Sequence, residues 1–401
     1  MTIHNANSRR SFLQTSVVGA AAAGMALLRD IKADEPKVED RGSAIRINKL
    51  KAFVVGPKAF FKIETNMNVF GWGEVTGLDP KVSCALAESL YELLADENPT
   101  RVEYLWQKIF RSHRDMRGGP FMCDTLAAID MALWDITGKL YGVPVYRLLG
   151  GPVRDKIRVY PTPKAQKVGT GGPHPFSGDP PDIANLVKSV EDARRRVGPT
   201  GSVMFDCHCA IPPPMMIQFA DAIKAYDVMW LEEPAVPGNI EVFKRLKQAI
   251  KIPIATGERD RTIWGVIPYL QERCIDIFQP DCGQTGGISQ MHKISTLCEV
   301  YAVPIAPHCT CSELGVTASL HASAVAAHFL IHEMYLDGHI MPPGVVKKSW
   351  EVDKDGYASL PQGPGLGVEV DETMFEKVNA DPKRKYKWPV PKAPDGGVRD
   401  Y

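Results

Sequence analysis

The chain has 401 residues, with 47 Lys plus Arg set against 47 Asp plus Glu and 44% hydrophobic residues. That length exceeds one ordinary domain, and the even balance of charge provides no field of one sign to favour nucleic acid or an anionic membrane, so a small-molecule partner is expected. The nine cysteines (Cys84, Cys123, Cys207, Cys209, Cys274, Cys282, Cys298, Cys309, Cys311) are odd in number and scattered through apolar stretches, which excludes a small disulfide scaffold and reads as mostly buried thiols.

At the N-terminus, Ser8, Arg9, Arg10, Ser11, Phe12 and Leu13 precede an apolar run from Val17 to Leu28. The run is too short to span a bilayer comfortably, and twin arginines before Phe-Leu resemble a twin-arginine export signal, with Ala33 as a small residue near a cleavage point. Residues 1–33 are therefore set aside, and the mature protein is expected to be periplasmic or otherwise exported, with no membrane span.

From Ile45 to Glu74, alternating apolar segments ending near Gly71, Trp72 and Gly73 predict a short antiparallel meander. Asp124 is a candidate N-cap for a helix carrying Leu126, Ile129, Leu133, Ile136 and Leu140 on one face, with Gly142 and Pro144 as stops. Residues 45–150 thus read as an α+β domain that ends at the Gly150-Gly151 turn.

Beyond about residue 200 the pattern changes to short apolar runs, each ending in an acid or a histidine and each followed by a helical stretch. The runs are Val203 to His208, Val228 to Glu233, Ile252 to Glu258, Ile275 to Asp281, Val303 to His308 and Ile331 to Tyr335. Their polar endings, Asp206, Glu232, Glu258, Asp281, His308 and Glu333, recur every 23 to 27 residues, about what one strand, one helix and two loops require. Met216, Ala220 and Ile223 share a helical face, as do Phe243, Leu246 and Ile250, and Ile288, Met291, Ile294 and Cys298. Residues 155–345 are therefore expected to form an α/β barrel, in which every strand delivers its C-terminal end to one rim.

At that rim Asp206, Glu232 and Glu258 would repel one another unless a cation held them, and three oxygen donors with room for water or substrate suit a hard divalent ion such as magnesium. Asp281 and His308 end the next two strands, where the acid can fix the tautomer of the ring and raise its basicity, making His308 a candidate general base. His208 lies two residues past Asp206, so on a continuing strand both side chains would face the barrel mouth. The same parity turns Cys207 and Cys209 outward and argues against a cysteine-rich zinc site.

Taken together, Gly71-Trp72-Gly73-Glu74, Ala128-Ile129-Asp130-Met131-Ala132-Leu133-Trp134-Asp135, Leu148-Leu149-Gly150-Gly151, Asp206-x-His208, Trp230-Leu231-Glu232-Glu233-Pro234, Gly257-Glu258, Gln279-Pro280-Asp281, Gly286-Gly287-Ile288 and Pro307-His308 resemble the enolase superfamily, and within it the mandelate racemase and acid-sugar dehydratase group. The resemblance implies an α+β capping domain on a modified (β/α)7β-type TIM barrel, with residues 346–401, including Pro364-Gly365-Leu366-Gly367, returning to the capping domain. It also implies magnesium on Asp206, Glu232 and Glu258, binding a substrate carboxylate and stabilising the ene-diolate formed on proton loss, an account carried over from the superfamily. Of the consecutive Glu232 and Glu233, the family pattern selects Glu232 as ligand and leaves Glu233 to a structural pairing.

The interval from Arg158 to Asp206 is short for two βα units, and Pro161 to Pro181 has no helical run, so the first barrel helix is expected to be missing or replaced by a loop. The family's second-strand lysine falls to Lys164 or Lys167, with Lys167 preferred, and Glu333 falls where related dehydratases carry an eighth-strand carboxylate. In the capping domain His113, Arg114 and Arg117 are candidate substrate contacts, as is Lys164 in the barrel. A histidine at position 208 favours a dehydratase, with His308 as base and His208 as acid, acting on a sugar acid to give a 2-keto-3-deoxy acid. The alternatives are a racemase or epimerase on the same scaffold and a non-catalytic exported binding protein; a homo-oligomer is the expected assembly.

Overall fold

The structure, a computed structural model, describes residues 42–112, 114–170, 180–335 and 340–388, and in the C-terminal tail 392 and 396–398. The expected export signal at 1–33 and the candidate His113 lie outside the described residues.

The N-terminal domain opens with an antiparallel sheet of β1 (Ile47–Val55), β2 (Lys58–Thr65) and β3 (Phe70–Val75) in that order. Three helices follow: α1 (Pro80–Leu90), α2 (Val102–Ser112) and the long α3 (Pro120–Tyr141). The glycines beside Trp72 have a steric reason. A Cβ at Gly71 would lie 2.0 Å from the Ala132 carbonyl oxygen, and one at Gly73 only 1.8 Å from that of Ala128, so only glycine lets β3 lie directly on α3. Helix α3 starts one turn earlier than the sequence suggests, because Gly119 caps it and Pro120, with φ already set for a helix, takes the first position. Asp124 is therefore not the cap but a buried residue inside the helix, turned toward Arg261. Gly142, at φ 72°, closes the helix with its N–H on the carbonyls of Gly138 and Lys139.

After the short helix α4 (Val145–Leu148) comes the second domain, with β4 (Lys156–Tyr160), β5 (Ala165–Gly169), α5 (Pro180–Val197), β6 (Ser202–Asp206), α6 (Pro213–Ala222), β7 (Val228–Glu232), α7 (Ile240–Ala249), β8 (Ile254–Thr256), α8 (Thr262–Glu272), β9 (Ile277–Phe278), α9 (Ile288–Val300), α10 (Glu313–Val325) and β10 (His332–Glu333). Strands β5 to β9 form one parallel ladder. Parallel bridges carry it on from Phe278 to Ile305 and from Ile305 to Phe329, and β10 lies parallel to β4. No helix separates β4 from β5: the connection is a tight turn in which Thr162 N–H donates to the Ala165 carbonyl at 2.7 Å and Ala165 N–H donates back at 3.1 Å. The first barrel helix is absent, as the short interval before Asp206 implies.

Alternation along the strands sorts the side chains. Val203 and Phe205 join the large core shared with the helices, whereas Met204 packs in a smaller cluster with Tyr160, Ala165, Trp230, Ala255, Ile277, Ala306 and Ile331. Asp206, two residues past Met204, and Glu232, two past Trp230, continue that inner face, and the register sets them opposite each other. Beyond the barrel, β11 (Val346–Lys347) pairs with β13 (Glu369–Val370), and β12 (Tyr357–Ser359) pairs with β4. The segment then reaches the N-terminal domain, where Leu366 N–H donates to Asp135 at 2.8 Å and Phe375, opening α11 (Phe375–Ala380), packs on Phe53, Phe60 and Trp72. No helix among the described residues is long and apolar enough to cross a membrane.

The two domains meet at a buried acid. Asp130 of α3 accepts from the Ser289 N–H at 3.0 Å and from its hydroxyl at 2.5 Å, and burial, against the help of those bonds, pushes its carboxyl up to about 7 from 3.8. A carboxyl raised in the folded state favours that state when protonated, so its contribution to stability falls as pH rises from about 4 through about 7. Asp130→Asn, which keeps one acceptor for Ser289, should flatten that fall, as measured by melting temperature against pH for the two proteins.

Candidate active site

Asp206, Glu232 and Glu258 can each offer one carboxylate oxygen within 4.8 Å of the others. Glu258 Oε2 is buried without a hydrogen-bond partner, and burial, with Glu233, Asp206 and Glu232 adding to it and His308 opposing, pushes this carboxyl well above the ordinary range. Glu232 is pushed up to about 6 by burial and Asp206, while Asp206, despite its burial, is held low by Lys167 and His208. Three oxygen donors facing one point, with a buried Glu258 oxygen that lacks a hydrogen bond, fit a hard divalent cation.

Lys167, on β5, projects into the same cluster. Its ammonium lies 3.1 Å from Asp206 Oδ2, 2.9 Å from Glu232 Oε1 and 2.6 Å from Glu333 Oε1. Burial would discharge it, but Glu232, Glu333 and Asp206 outweigh burial and raise the amine well above its usual value. Lys167 is thus held as a cation. Glu232 Oε2 accepts from the Trp230 indole at 3.0 Å, which leaves its orientation little freedom.

On the other side stands His308, whose Nδ1 is 2.7 Å from Asp281 Oδ2. Its Nε2 faces inward, 3.8 Å from Glu258 and 3.7 Å from Glu333. Against burial, Glu258, Glu333 and Asp281 raise the proton affinity of the ring well above that of an ordinary histidine. His208 Nε2 is 3.0 Å from Asp206 Oδ2. Lys167, Asp206, His208, His308, Thr310, Glu333 and Tyr335 line one cavity of about 450 Å³, within the range of small-ligand sites. Two histidines, a fixed ammonium and a carboxylate cluster around such a cavity can move protons to and from a bound anion.

Comparison with known proteins agrees with this geometry. Residues 158–374 match the family model described as enolase C-terminal domain-like, and residues 52–150 match that of the mandelate racemase / muconate lactonizing enzyme N-terminal domain. The chain belongs to the enolase superfamily. Among its curated relatives, the D-galactonate dehydratases of Variovorax paradoxus and Ralstonia nicotianae are 32% and 33% identical over 386 residues, spanning 89% of this chain and all of theirs. Among solved structures, an enolase from Agrobacterium radiobacter, a candidate galactarate dehydratase with sodium and L-malate bound, superposes with a TM-score of 0.78 at 29% identity, covering 88% of this chain and 99% of that one. The 3,6-anhydro-D-galactonate cycloisomerase of Zobellia galactanivorans gives 0.75 at 27% identity, covering 83% and 99%.

In this enolase-superfamily member some site residues fall elsewhere than the sequence suggests. Lys164 stands at the start of the β5 segment, not at its C-terminal end; its side chain is 74% exposed and faces Asp355 at 4.0 Å, away from the cavity. Arg117 is exposed and lies over the Phe110 ring, outside the cavity lining. Arg114 is exposed and pairs with its neighbour Asp115. Strand parity does not carry past Asp206: β6 ends there, and His208 and Cys209 take positive φ, 44° and 58°. His208 reaches the site from a turn, and its ring returns to Asp206. Cys207 packs in the core against Met216, while Cys209 contacts Arg259 and the Ala235 carbonyl. Glu233, also at positive φ, pairs with Arg259 at 2.7 Å. Thr310 and Tyr335 were not candidates; Tyr335 follows Glu333 by two residues, the one signal that could have marked it.

Proposed function

We propose that this chain is a magnesium-dependent acid-sugar dehydratase, a hydro-lyase that removes the α-proton of a sugar-acid carboxylate and expels the β-hydroxyl as water. The observation that carries this reading is the placement of a carboxylate-oriented His308 and an Asp206-linked His208 around one cavity beside the Asp206–Glu232–Glu258 cluster. The D-galactonate dehydratase relatives support the substrate class, and the candidate galactarate dehydratase with bound L-malate is consistent with it.

Asp206, Glu232 and Glu258 would hold the magnesium ion, whose positive charge would stabilise the negative charge of the substrate carboxylate and so acidify the neighbouring α-carbon. The remaining work belongs to the side chains. Asp281 fixes a proton on His308 Nδ1, so Nε2 is the atom that accepts the α-proton. Lys167, permanently charged, offers its ammonium to the developing negative charge of the substrate and holds Glu333 and Glu232 in place. His208 donates a proton to the β-hydroxyl as the C–O bond breaks; water leaves, and the resulting enol becomes the 2-keto-3-deoxy acid. Thr310 and Tyr335 line the cavity that would take the polyol chain.

The test is a screen of the magnesium-loaded protein against sugar acids, D-galactonate and galactarate among them, in deuterated water, following keto product and deuterium at the α-carbon. Keto product from one of them is expected. His208→Asn should retain α-exchange while keto product falls by about a hundredfold. Exchange without keto product in the unmodified protein would replace the dehydratase by an epimerase, and bound ligand with neither signal would sink catalysis of this kind altogether.

A further inference from the structure

The orientation of the His308–Asp281 pair has a second support that reaches into the N-terminal domain. Gln284, 9% exposed, stands between two groups that dictate how its amide must point. Arg261 Nη2 lies 2.9 Å from Gln284 Oε1, and Gln284 Nε2 lies 3.4 Å from Asp281 Oδ2. Arginine can only donate and a carboxylate can only accept, so this amide orientation alone satisfies both neighbours. The Asp281 oxygen that Gln284 meets is the one that faces His308 Nδ1. The other oxygen, Oδ1, accepts from Gly283 N–H at 2.7 Å.

Arg261 is itself held from across the domain boundary. Its Nε and Nη2 lie 3.3 Å from the two carboxylate oxygens of Asp124 in α3, and its Nη1 donates to the Arg259 carbonyl. Asp124 is 1% exposed and the Arg261 side chain 13% exposed, so neither is a solvated surface group. A continuous polar chain runs from the N-terminal domain to the general base: Asp124, Arg261, Gln284, Asp281, His308. The short contacts sit at the Arg261–Gln284 and Asp281–His308 links, and among the described residues the Gln284 amide bridges them. Removing it leaves Asp281 held by Gly283 N–H and His308 alone, so Oδ2 loses its tie to Arg261 and the aim of His308 Nε2 along the line of proton transfer loosens.

We propose that Gln284 is a positioning residue for the proton-transfer step, and that through Arg261 it ties the aim of the His308–Asp281 pair to Asp124 of the N-terminal domain. The inference rests on the reading of His308 as the base. It distinguishes residues that touch substrate from one that acts through another side chain, so its signature is a slower chemical step at unchanged substrate affinity.

The experiment uses the full-length magnesium-loaded enzyme and the sugar acid identified by the screen, in ordinary and α-deuterated form. Gln284→Met, close in volume but unable to donate or accept, should lower kcat about tenfold, the scale of one lost hydrogen bond to a charged group, with KM within about twofold, and should enlarge the α-deuterium isotope effect on kcat as proton transfer becomes more limiting. Asp124→Asn should slow the parent about threefold but add little in the Gln284→Met background, since both act along one chain. A wild-type kcat and isotope effect in Gln284→Met, or a loss of kcat with the isotope effect unchanged and full additivity with Asp124→Asn, would overturn the inference. Should Gln284→Met not fold, Arg261→Lys carries the same expectations, because it keeps a cation for Asp124 but lacks the second nitrogen that holds Gln284. Failure of the underlying reading looks different: His308→Asn would then keep α-exchange, whereas failure of this inference alone leaves His308→Asn inactive and Gln284→Met normal.

Discussion

His308→Asn should abolish both readouts at once, lowering keto product and α-deuterium exchange by about 10³ to 10⁴-fold, the upper part of the range for a positioned acid–base group. The asparagine side chain keeps a polar group near Asp281 but has no ring nitrogen where Nε2 stands, 3.7 Å from Glu333 and 3.8 Å from Glu258. Among the described residues, neither Lys167 nor His208 of the cavity replaces it. Lys167 cannot, because Glu232, Glu333 and Asp206 hold it protonated, and His208 is engaged on Asp206. The comparison with His208→Asn therefore separates the two histidines: one loses exchange, the other keeps it and loses elimination. Comparable exchange in both variants would mean that the base lies elsewhere.

Glu258→Gln is expected to act in opposite directions on stability and on metal response. In the metal-free protein Lys167 compensates Asp206 and Glu232, at 3.1 and 2.9 Å, whereas Glu258 faces only His308 Nε2, at 3.8 Å, and its Oε2 is buried without a hydrogen bond. Burial outweighs His308 and pushes this carboxyl well above its ordinary range, a cost to the folded state near neutral pH, so a neutral amide there should raise the melting temperature of the metal-free protein. The unmodified protein should in turn gain about 2.7 kcal/mol from magnesium at a hundredfold excess over Kd, seen as a rise of several degrees in melting temperature. Glu258→Gln should lose most of that rise, along with turnover. A variant less stable than the parent without metal, or one that keeps the full magnesium response, would remove Glu258 from the cation site.

Taken in chain order, the residues already contain the rim of the barrel. Asp206, Glu232, Glu258, Asp281, His308 and Glu333 are legible because each closes an apolar run and the runs recur at nearly constant intervals; a parallel barrel turns that periodicity into convergence. The absent first helix is legible for the same reason, since the interval before Asp206 is too short to hold it. Gly71 and Gly73 could be seen as punctuation, but their purpose, contact with the Ala132 and Ala128 carbonyls, belongs to the packing of β3 on α3.

Where the sequence misleads, it does so at places governed by local backbone or by contacts from far along the chain. Parity along a strand holds only while the strand continues, and the positive φ values at His208 and Cys209 end it. Lys164 and Lys167 are alike as residues; the register of β5 on β6, which opposes Ala165 to Ser202 and Gly169 to Asp206, is what carries Lys167 to the carboxylates and leaves Lys164 in solvent. Asp124 looks like a helix cap because Asp often is one, and only the approach of Arg261, 137 residues away, turns it into part of the domain boundary. The amino-acid order by itself determined which strands end in acids and histidines, because hydrophobic alternation is local. The tertiary structure alone decided which side chains meet, whether Lys167, Gln284 or Tyr335, because register, left-handed turns and the seating of one domain on the other are set by packing between segments remote in sequence.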